Sequence, residues 1–254
     1  MPPACSTGGV VRPRADDVLG LLASWDGQAE RTVRIGMLLP WANVAVEDEL
    51  PRLGLSHTVF HYTRLVPASR TTAVDAAFWH GLRSAAAGGL DALSPVPLDA
   101  VFLACTSAGF PTGPAPPVLP PGVRTAFDAL TGVLTHLGVR RIVLATPYPQ
   151  EVTAAEAAAL AAYGIETTAH ASLDLADGYP TVTADQIRTL VRHLPSVALR
   201  TADAVVLSCT GWHTLPVLAE LQQALGVPVF SSTLAMALYA ARLAMGAPCE
   251  HQPK

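Results

Sequence analysis

The sequence predicts an α/β protein whose parallel sheets fall into two similar halves. Two apolar runs carry most of that prediction, Val101-Phe102-Leu103-Ala104-Cys105-Thr106-Ser107 and Val205-Val206-Leu207-Ser208-Cys209-Thr210-Gly211. Each follows Asp-Ala, is partly β-branched and stops at Cys-Thr, as a buried parallel strand does when it meets turn-forming residues. Elsewhere apolar runs alternate with helical patterns, which implies parallel sheets with helices on both faces. In open sheets of this kind ligands bind at the carboxyl edge of the strands. Each Cys is therefore expected at such an edge, one thiol from each half, facing a shared cleft.

Taken in order, residues 1–31 read as an extension. Its opening is rich in Pro, Ser and Gly and includes Cys5, read as a bystander; Asp16 to Trp25 has the spacing of a short amphipathic helix, with Val18, Leu21, Leu22 and Trp25 on one side. The apolar run 33–40 predicts a first strand. Asn43 then stands as the N-cap of a helix over 44–53, with Glu47, Asp48 and Glu49 suiting the helix dipole. Asn43 reads either as a cap alone or as a cap that also faces the cleft. A second strand is expected over 58–65 and a helix over 73–93, broken near Gly88-Gly89. Trp79 and His80 on that helix read as packing and surface residues. The first Cys strand follows. Six prolines between 111 and 122 predict a stiff loop, either a cover for the site or a linker between halves.

In the second half, a helix over 124–137 ends at Gly138. A strand over 141–146 delivers Tyr148 to the same carboxyl edge. A helix over 150–163, a strand over 167–173, a loop over 174–180 and a helix over 184–193 lead to the second Cys strand. A helix over 215–225, a short strand over 227–230 and a final helix over 232–245 complete the chain. The domain reading is an extension 1–31, a first half 32–122 and a second half 123–231. Helix 232–246 follows the second half.

Composition excludes several function classes. Half the residues are hydrophobic and 14% are charged, with a net charge of −4 and no basic cluster. Such a surface argues against nucleic acid and against an anionic membrane as partners. No apolar run reaches the length of a membrane span, and the N-terminus lacks the pattern of a signal peptide, so a cytoplasmic location is expected. The single lysine is Lys254. Pyridoxal phosphate enzymes, Schiff-base aldolases and P-loop sites all need an internal lysine. No Gly-x-Gly-x-x-Gly follows a strand, and no Cys-x-x-Cys suggests a metal; His213 alone beside Cys209 makes a poor ligand set. No cofactor and no metal are expected.

Four stretches in order resemble the aspartate/glutamate racemase superfamily, in particular its maleate cis–trans isomerase and arylmalonate decarboxylase branch. They are Ile35-Gly36-Met37-Leu38-Leu39-Pro40 with Asn43 and Glu47; Ala104-Cys105-Thr106-Ser107; Leu137-Gly138-Val139-Arg140-Arg141-Ile142 leading to Thr146-Pro147-Tyr148; and Cys209-Thr210 through Leu215 with Leu225-Gly226-Val227-Pro228-Val229. The resemblance implies two flavodoxin-like halves related by a pseudo-dyad, with the active site in the cleft between them. It implies that the last helix packs back on the first half. Cys105 and Cys209 correspond to the reactive pair, with Cys105 as nucleophile and Cys209 as proton partner. Asn43 and Tyr148 correspond to substrate ligands. Thr106, Ser107, Thr210 and Gly211 correspond to loop positions that hold carboxylates. Trp41 departs from the isomerases, which usually carry a small polar residue there. Asp177 lies near the place of a later binding Asn.

The chemistry also follows from the residues. A helix N-terminus can lower a thiol pKa and can bind a carboxylate, and both Cys-Thr turns are expected to supply one. One thiolate and one thiol on opposite faces of a small acid support racemisation, by removing and returning an α-proton. They equally support cis–trans isomerisation, by adding to a C=C bond, letting the C–C bond turn, and eliminating. A decarboxylase of this branch needs only the second Cys. The expected partner is a small carboxylic acid, and assembly as a homo-oligomer is left open. Against all of this stands the reading of both cysteines as ordinary core residues, or of the chain as a non-catalytic binder of small acids.

Overall fold

The computed structural model describes residues 17–247. Cys5 and most of the extension read at 1–31 lie outside the described residues. α1 (Val18–Gly27) buries Val18, Leu22 and Trp25, the apolar side expected of it. β1 (Val33–Pro40) is followed by α2 (Ala45–Glu49), which tightens into a 3-10 turn at Leu50–Leu53. The single helix expected over 44–53 is divided there because Pro51 has no N–H to continue the α ladder. β2 (Thr58–Leu65), α3 (Ala76–Ala92), β3 (Ala100–Leu103) and β4 (Val123–Thr125) follow. α3 is continuous through Gly88 and Gly89, contrary to the expected break. A Cβ at Gly89 would come within 2.5 Å of the Leu65 side chain, so glycine there lets the helix approach the sheet.

The next elements are α4 (Ala126–His136), β5 (Arg141–Thr146), α5 (Gln150–Ala161), β6 (Glu166–Ser172), α6 (Ala184–Arg192) and α7 (Ser196–Thr201). β7 (Ala204–Leu207), α8 (Leu215–Leu225), β8 (Val229–Ser231) and α9 (Ser232–Ala244) end the chain. β4 and α7 are absent from the sequence reading. The start of the helix expected over 124–137 is instead the β4 strand, which pairs with β3 and so carries the first sheet past 122. Thr125 then closes the strand and caps α4 in a reciprocal pair with Asp128.

Two four-stranded sheets result, each parallel throughout, in the orders β2-β1-β3-β4 and β6-β5-β7-β8. The two orders are the same pattern repeated. In each sheet the chain steps outward from its first strand, then crosses back to the other side with its third. β1 and β3, and likewise β5 and β7, flank a topological switch point, where the loops part and leave a crevice. α9 is buried along most of its length and packs against α1, α4 and β1. Among the described residues no helix is long and apolar enough to cross a membrane.

Candidate active site

Both switch points open into one cavity of about 270 Å³. Asn43 reaches it from the loop after β1, Cys105 and Ser107 from the turn after β3, and Tyr148 from the loop after β5. Cys209, Thr210 and Gly211 reach it from the loop after β7. Of the eight residues assigned to the site from the sequence, Thr106 alone does not line the cavity. It is fully buried beside it, and its hydroxyl has no hydrogen-bond partner among the described residues.

Two further stretches border the cavity, and of their residues only Asp177 was connected with the site from the sequence, through the resemblance. One carries Thr72, Val74 and Phe78; the other runs from Asp177 through Gly178 and Tyr179 to Pro180. They meet where Thr72 Oγ1 donates to Asp177 Oδ2 at 3.1 Å. The proline-rich segment 111–122, read as a cover or a linker, contributes no lining residue; its Pro117 carbonyl accepts from Arg83 instead. Trp41 does line the cavity, and with Val74, Phe78 and Pro180 it makes that side apolar. Asp177 is the sole charged side chain in the lining.

Asn43 is both a cap and a strut. Its Oδ1 accepts from Val46 N–H at 3.2 Å, while its Nδ2 donates to the Thr210 carbonyl at 3.0 Å and to Thr210 Oγ1 at 3.2 Å. Thr210 Oγ1 in turn donates to the Ala104 carbonyl at 2.7 Å, so the two Cys turns are tied to each other across the cleft. Further out, buried Glu49 of α2 accepts from Leu215 N–H at 2.5 Å and from Thr214 Oγ1 at 3.3 Å. A carboxyl from the first half thus caps a helix of the second. His213 pairs with Asp48 at 3.0 Å and does not line the cavity, which makes it part of this seam.

The two thiols sit in different surroundings. Cys105 is 5% exposed, and its Sγ lies 3.5 Å from Ser107 Oγ. Burial pushes its thiol pKa up, opposed by the Ser107 hydroxyl, by the Ala108 and Ser107 backbone N–H groups and by the Arg83 charge. Cys209 is 4% exposed and has a backbone φ of 153°, a conformation that favours glycine and stores strain. Its Sγ accepts from Gly211 N–H at 3.1 Å. Burial pushes the Cys209 thiol up to about 12, against the hydrogen bonds from Tyr148 and Gly211. The thiolate-favouring helix N-termini expected at both turns are not formed. A 3-10 turn, Ser107–Gly109, follows Cys105, and no helix follows Cys209 before α8. Burial therefore outweighs the local donors, and both thiols are shifted toward the neutral form.

Two further acids stay protonated. Burial holds the Tyr148 hydroxyl well above its ordinary value, and Tyr179 packs edge-on against it with ring centroids 5.5 Å apart. Glu156 on α5 is fully buried behind Cys209, and burial raises its carboxyl to about 8. One of its oxygens accepts from Ser208 Oγ; the other has no partner among the described residues. With hydroxyl and backbone donors, two thiols and one apolar wall, the cavity suits a small organic acid.

Comparison with known proteins agrees with that geometry. The sequence profile of arylmalonate decarboxylase matches residues 118–251, more than half of the chain. The chain is 28% identical to the maleate isomerase of Geobacillus stearothermophilus over 225 residues, covering 78% of this chain and 86% of that protein. A Nocardia farcinica maleate cis–trans isomerase, a cysteine-to-serine mutant with a covalently bound succinylcysteine intermediate, has a similar structure with a TM-score of 0.73. It is 24% identical, with 85% of this chain and 94% of that one covered. A double mutant of arylmalonate decarboxylase in its liganded form superposes with a TM-score of 0.66 at 28% identity, covering 84% of this chain and 93% of that one. On its repeated sheets, its paired Cys turns and these matches, the chain belongs to the maleate isomerase and arylmalonate decarboxylase family of the Asp/Glu racemase superfamily.

Proposed function

We propose that the protein is a cofactor-independent isomerase that works a small carboxylic acid between Cys105 and Cys209, in the manner of a maleate cis–trans isomerase. The observation that carries this reading is that two thiols, one from the end of each sheet, line one cavity. Cys105 is the better nucleophile of the pair, because Arg83 and three hydrogen-bond donors favour its thiolate. Its sulfur adds to one olefinic carbon, the π electrons move to the neighbouring carbon, and the Cys209 thiol supplies a proton there. The C–C bond, now single, turns. Cys209 then takes the proton back, the C–S bond breaks, and the trans acid leaves. Asn43, Ser107, Tyr148, Thr210 and Gly211, which line the cavity, are assigned to the carboxylates; Thr106, buried beside it, is not. The succinylcysteine in the Nocardia farcinica enzyme is the kind of adduct such an addition forms.

A second reading, two-thiol racemisation of a monocarboxylic acid, is favoured by one observation. The far side of the cavity is apolar around Trp41, Val74 and Phe78, and its single charge, Asp177, repels a second carboxylate. A one-cysteine decarboxylase leaves Cys105 without a task, and a non-catalytic binder leaves both thiols without one. Proton NMR in heavy water separates the cases. With maleate, cis–trans isomerisation replaces one olefinic signal by another. With single-enantiomer acids, racemisation washes deuterium into the α-position. Absence of both changes, with binding retained, would leave a binding protein.

A further inference from the structure

The chain of contacts behind Cys105 has a direction. Trp79 on α3 is 2% exposed and does not line the cavity, yet its indole Nε1 lies 3.1 Å from Ser107 Oγ. An indole nitrogen only donates. Ser107 Oγ must therefore accept from Trp79, and its own proton is left for another acceptor. Cys105 Sγ lies 3.5 Å away from that hydroxyl. A lone Ser107 could accept from the Cys105 thiol as readily as donate to it, and accepting favours the neutral sulfur. With Trp79 occupying a lone pair, donation toward sulfur is favoured, and that direction stabilises the thiolate.

A second contact from the same helix face holds the turn. Arg83, one helical turn beyond Trp79, donates to the Ala108 carbonyl at 2.6 Å and to the Pro117 carbonyl at 3.3 Å. It fixes the turn whose Ser107 and Ala108 N–H groups face Cys105, and it adds a positive charge. Arg83 is faced by Asp128 of α4. The other titratable groups around Cys105 are Cys209, Tyr148 and Tyr179. Arg83 is therefore the cation acting on the Cys105 sulfur among the groups named.

We propose that Trp79, supported by Arg83, is a positioning residue that fixes Ser107 as a hydrogen-bond donor to Cys105 and so prepares Cys105 as the thiolate of the pair. The proposal rests on the thiol-pair reading for its purpose, but its test does not need turnover. The experiment follows alkylation of the free protein by iodoacetamide against pH, reading the Cys105 and Cys209 peptides separately by mass spectrometry. Trp79→Phe keeps an aromatic ring and removes the donor. It is expected to slow Cys105 alkylation near neutral pH by up to about tenfold and to move its midpoint upward by up to about one pH unit. Ser107→Ala should act in the same direction, and the double variant should be no slower than Ser107→Ala alone, because Trp79 acts through that hydroxyl. Cys209 alkylation should change less than Cys105 alkylation.

An unchanged Cys105 midpoint in a folded Trp79→Phe protein would overturn the proposal, as would effects that add in the double variant. If Trp79→Phe does not fold, nitrogen-labelled tryptophan in the native and Ser107→Ala proteins provides the reading. The Trp79 indole resonance should shift with Ser107→Ala and should titrate with the Cys105 midpoint. A resonance that does neither would reject the relay. Failure of the isomerase reading appears instead as absent turnover in the NMR assay, with the alkylation profile intact.

Discussion

At the scale of single residues, burial governs the protonation of the site. Both thiols are pushed above the ordinary cysteine value, Cys209 to about 12, so the reactive form of Cys105 is a minority species at neutral pH. The proposed reaction needs Cys105 ionised and Cys209 protonated. Turnover per substrate, measured as kcat/KM, is therefore expected to keep rising above pH ~8.5, the ordinary thiol value. It should fall only where the partner loses its proton. Because the thiols interact, the two limbs report the pair rather than either residue. A profile already flat below neutral pH would contradict the assignment. Glu156 supplies a stability prediction of definite sign. Its carboxyl is raised from 4.5 to about 8, so the folded protein holds a proton that the unfolded chain releases. That stabilisation is complete below about 4.5 and is lost as pH rises through about 8. Glu156→Gln imitates the protonated acid and has nothing to release. The melting temperature of the native protein should therefore fall between these limits relative to the variant, by roughly 2–4 °C for each kcal/mol lost. Parallel melting curves against pH would show that Glu156 does not titrate in this range.

At the scale of elements, the seam between the halves rests on short polar contacts. Glu49 of α2 caps α8 through Leu215 and Thr214. Glu49→Ala leaves that helix end without an acceptor and is expected to cost about 1–3 kcal/mol by denaturant unfolding. Glu49→Gln, which keeps an acceptor oxygen, should recover most of the loss; equal losses in the two variants would mean that the contact is not a cap. The clearest strands, β1, β3, β5 and β7, each carried an apolar run. β4 was hidden because Val123-Arg124-Thr125 is too short for any period and sits directly before a strong helix pattern. α7 was hidden because none of its residues is buried. Gly88-Gly89 misled in the other direction. Low helix propensity suggested a break, whereas the packing of α3 on Leu65 needs a residue without a Cβ at Gly89.

At the scale of the whole molecule, one strand order used twice produces the site. Repetition gives each half its own switch point, between β1 and β3 and between β5 and β7, and residues that follow those four strands line one cavity. This much was readable from the chain, because each Cys strand announces its own end with Thr and a turn. Of the bordering stretches, 177–180 was tied to the site only through the resemblance at Asp177, and Thr72–Phe78 was not readable as part of it, since only tertiary folding brings Thr72 to Asp177. Trp79 was read as packing for the same reason; its polar contact lies on a turn 28 residues further along the chain. The thiol pKa directions were also beyond sequence, because they depend on how completely the halves close over Cys105 and Cys209.

The central claim is that the two thiols act as an unequal pair on one bound acid. The most direct measurement is turnover together with intact mass for Cys105→Ser and Cys209→Ser after incubation with maleate. Ser is nearly isosteric with Cys, so both variants should remain folded. Each should lose at least the ~10²–10⁴-fold that a positioned proton donor supplies. Cys209→Ser is expected to accumulate one maleate-derived adduct on Cys105, because addition can occur while its proton partner is missing. Cys105→Ser is expected to form none. An adduct on Cys209 in the Cys105→Ser protein would reverse the roles, and full activity of Cys105→Ser would contradict the two-thiol account.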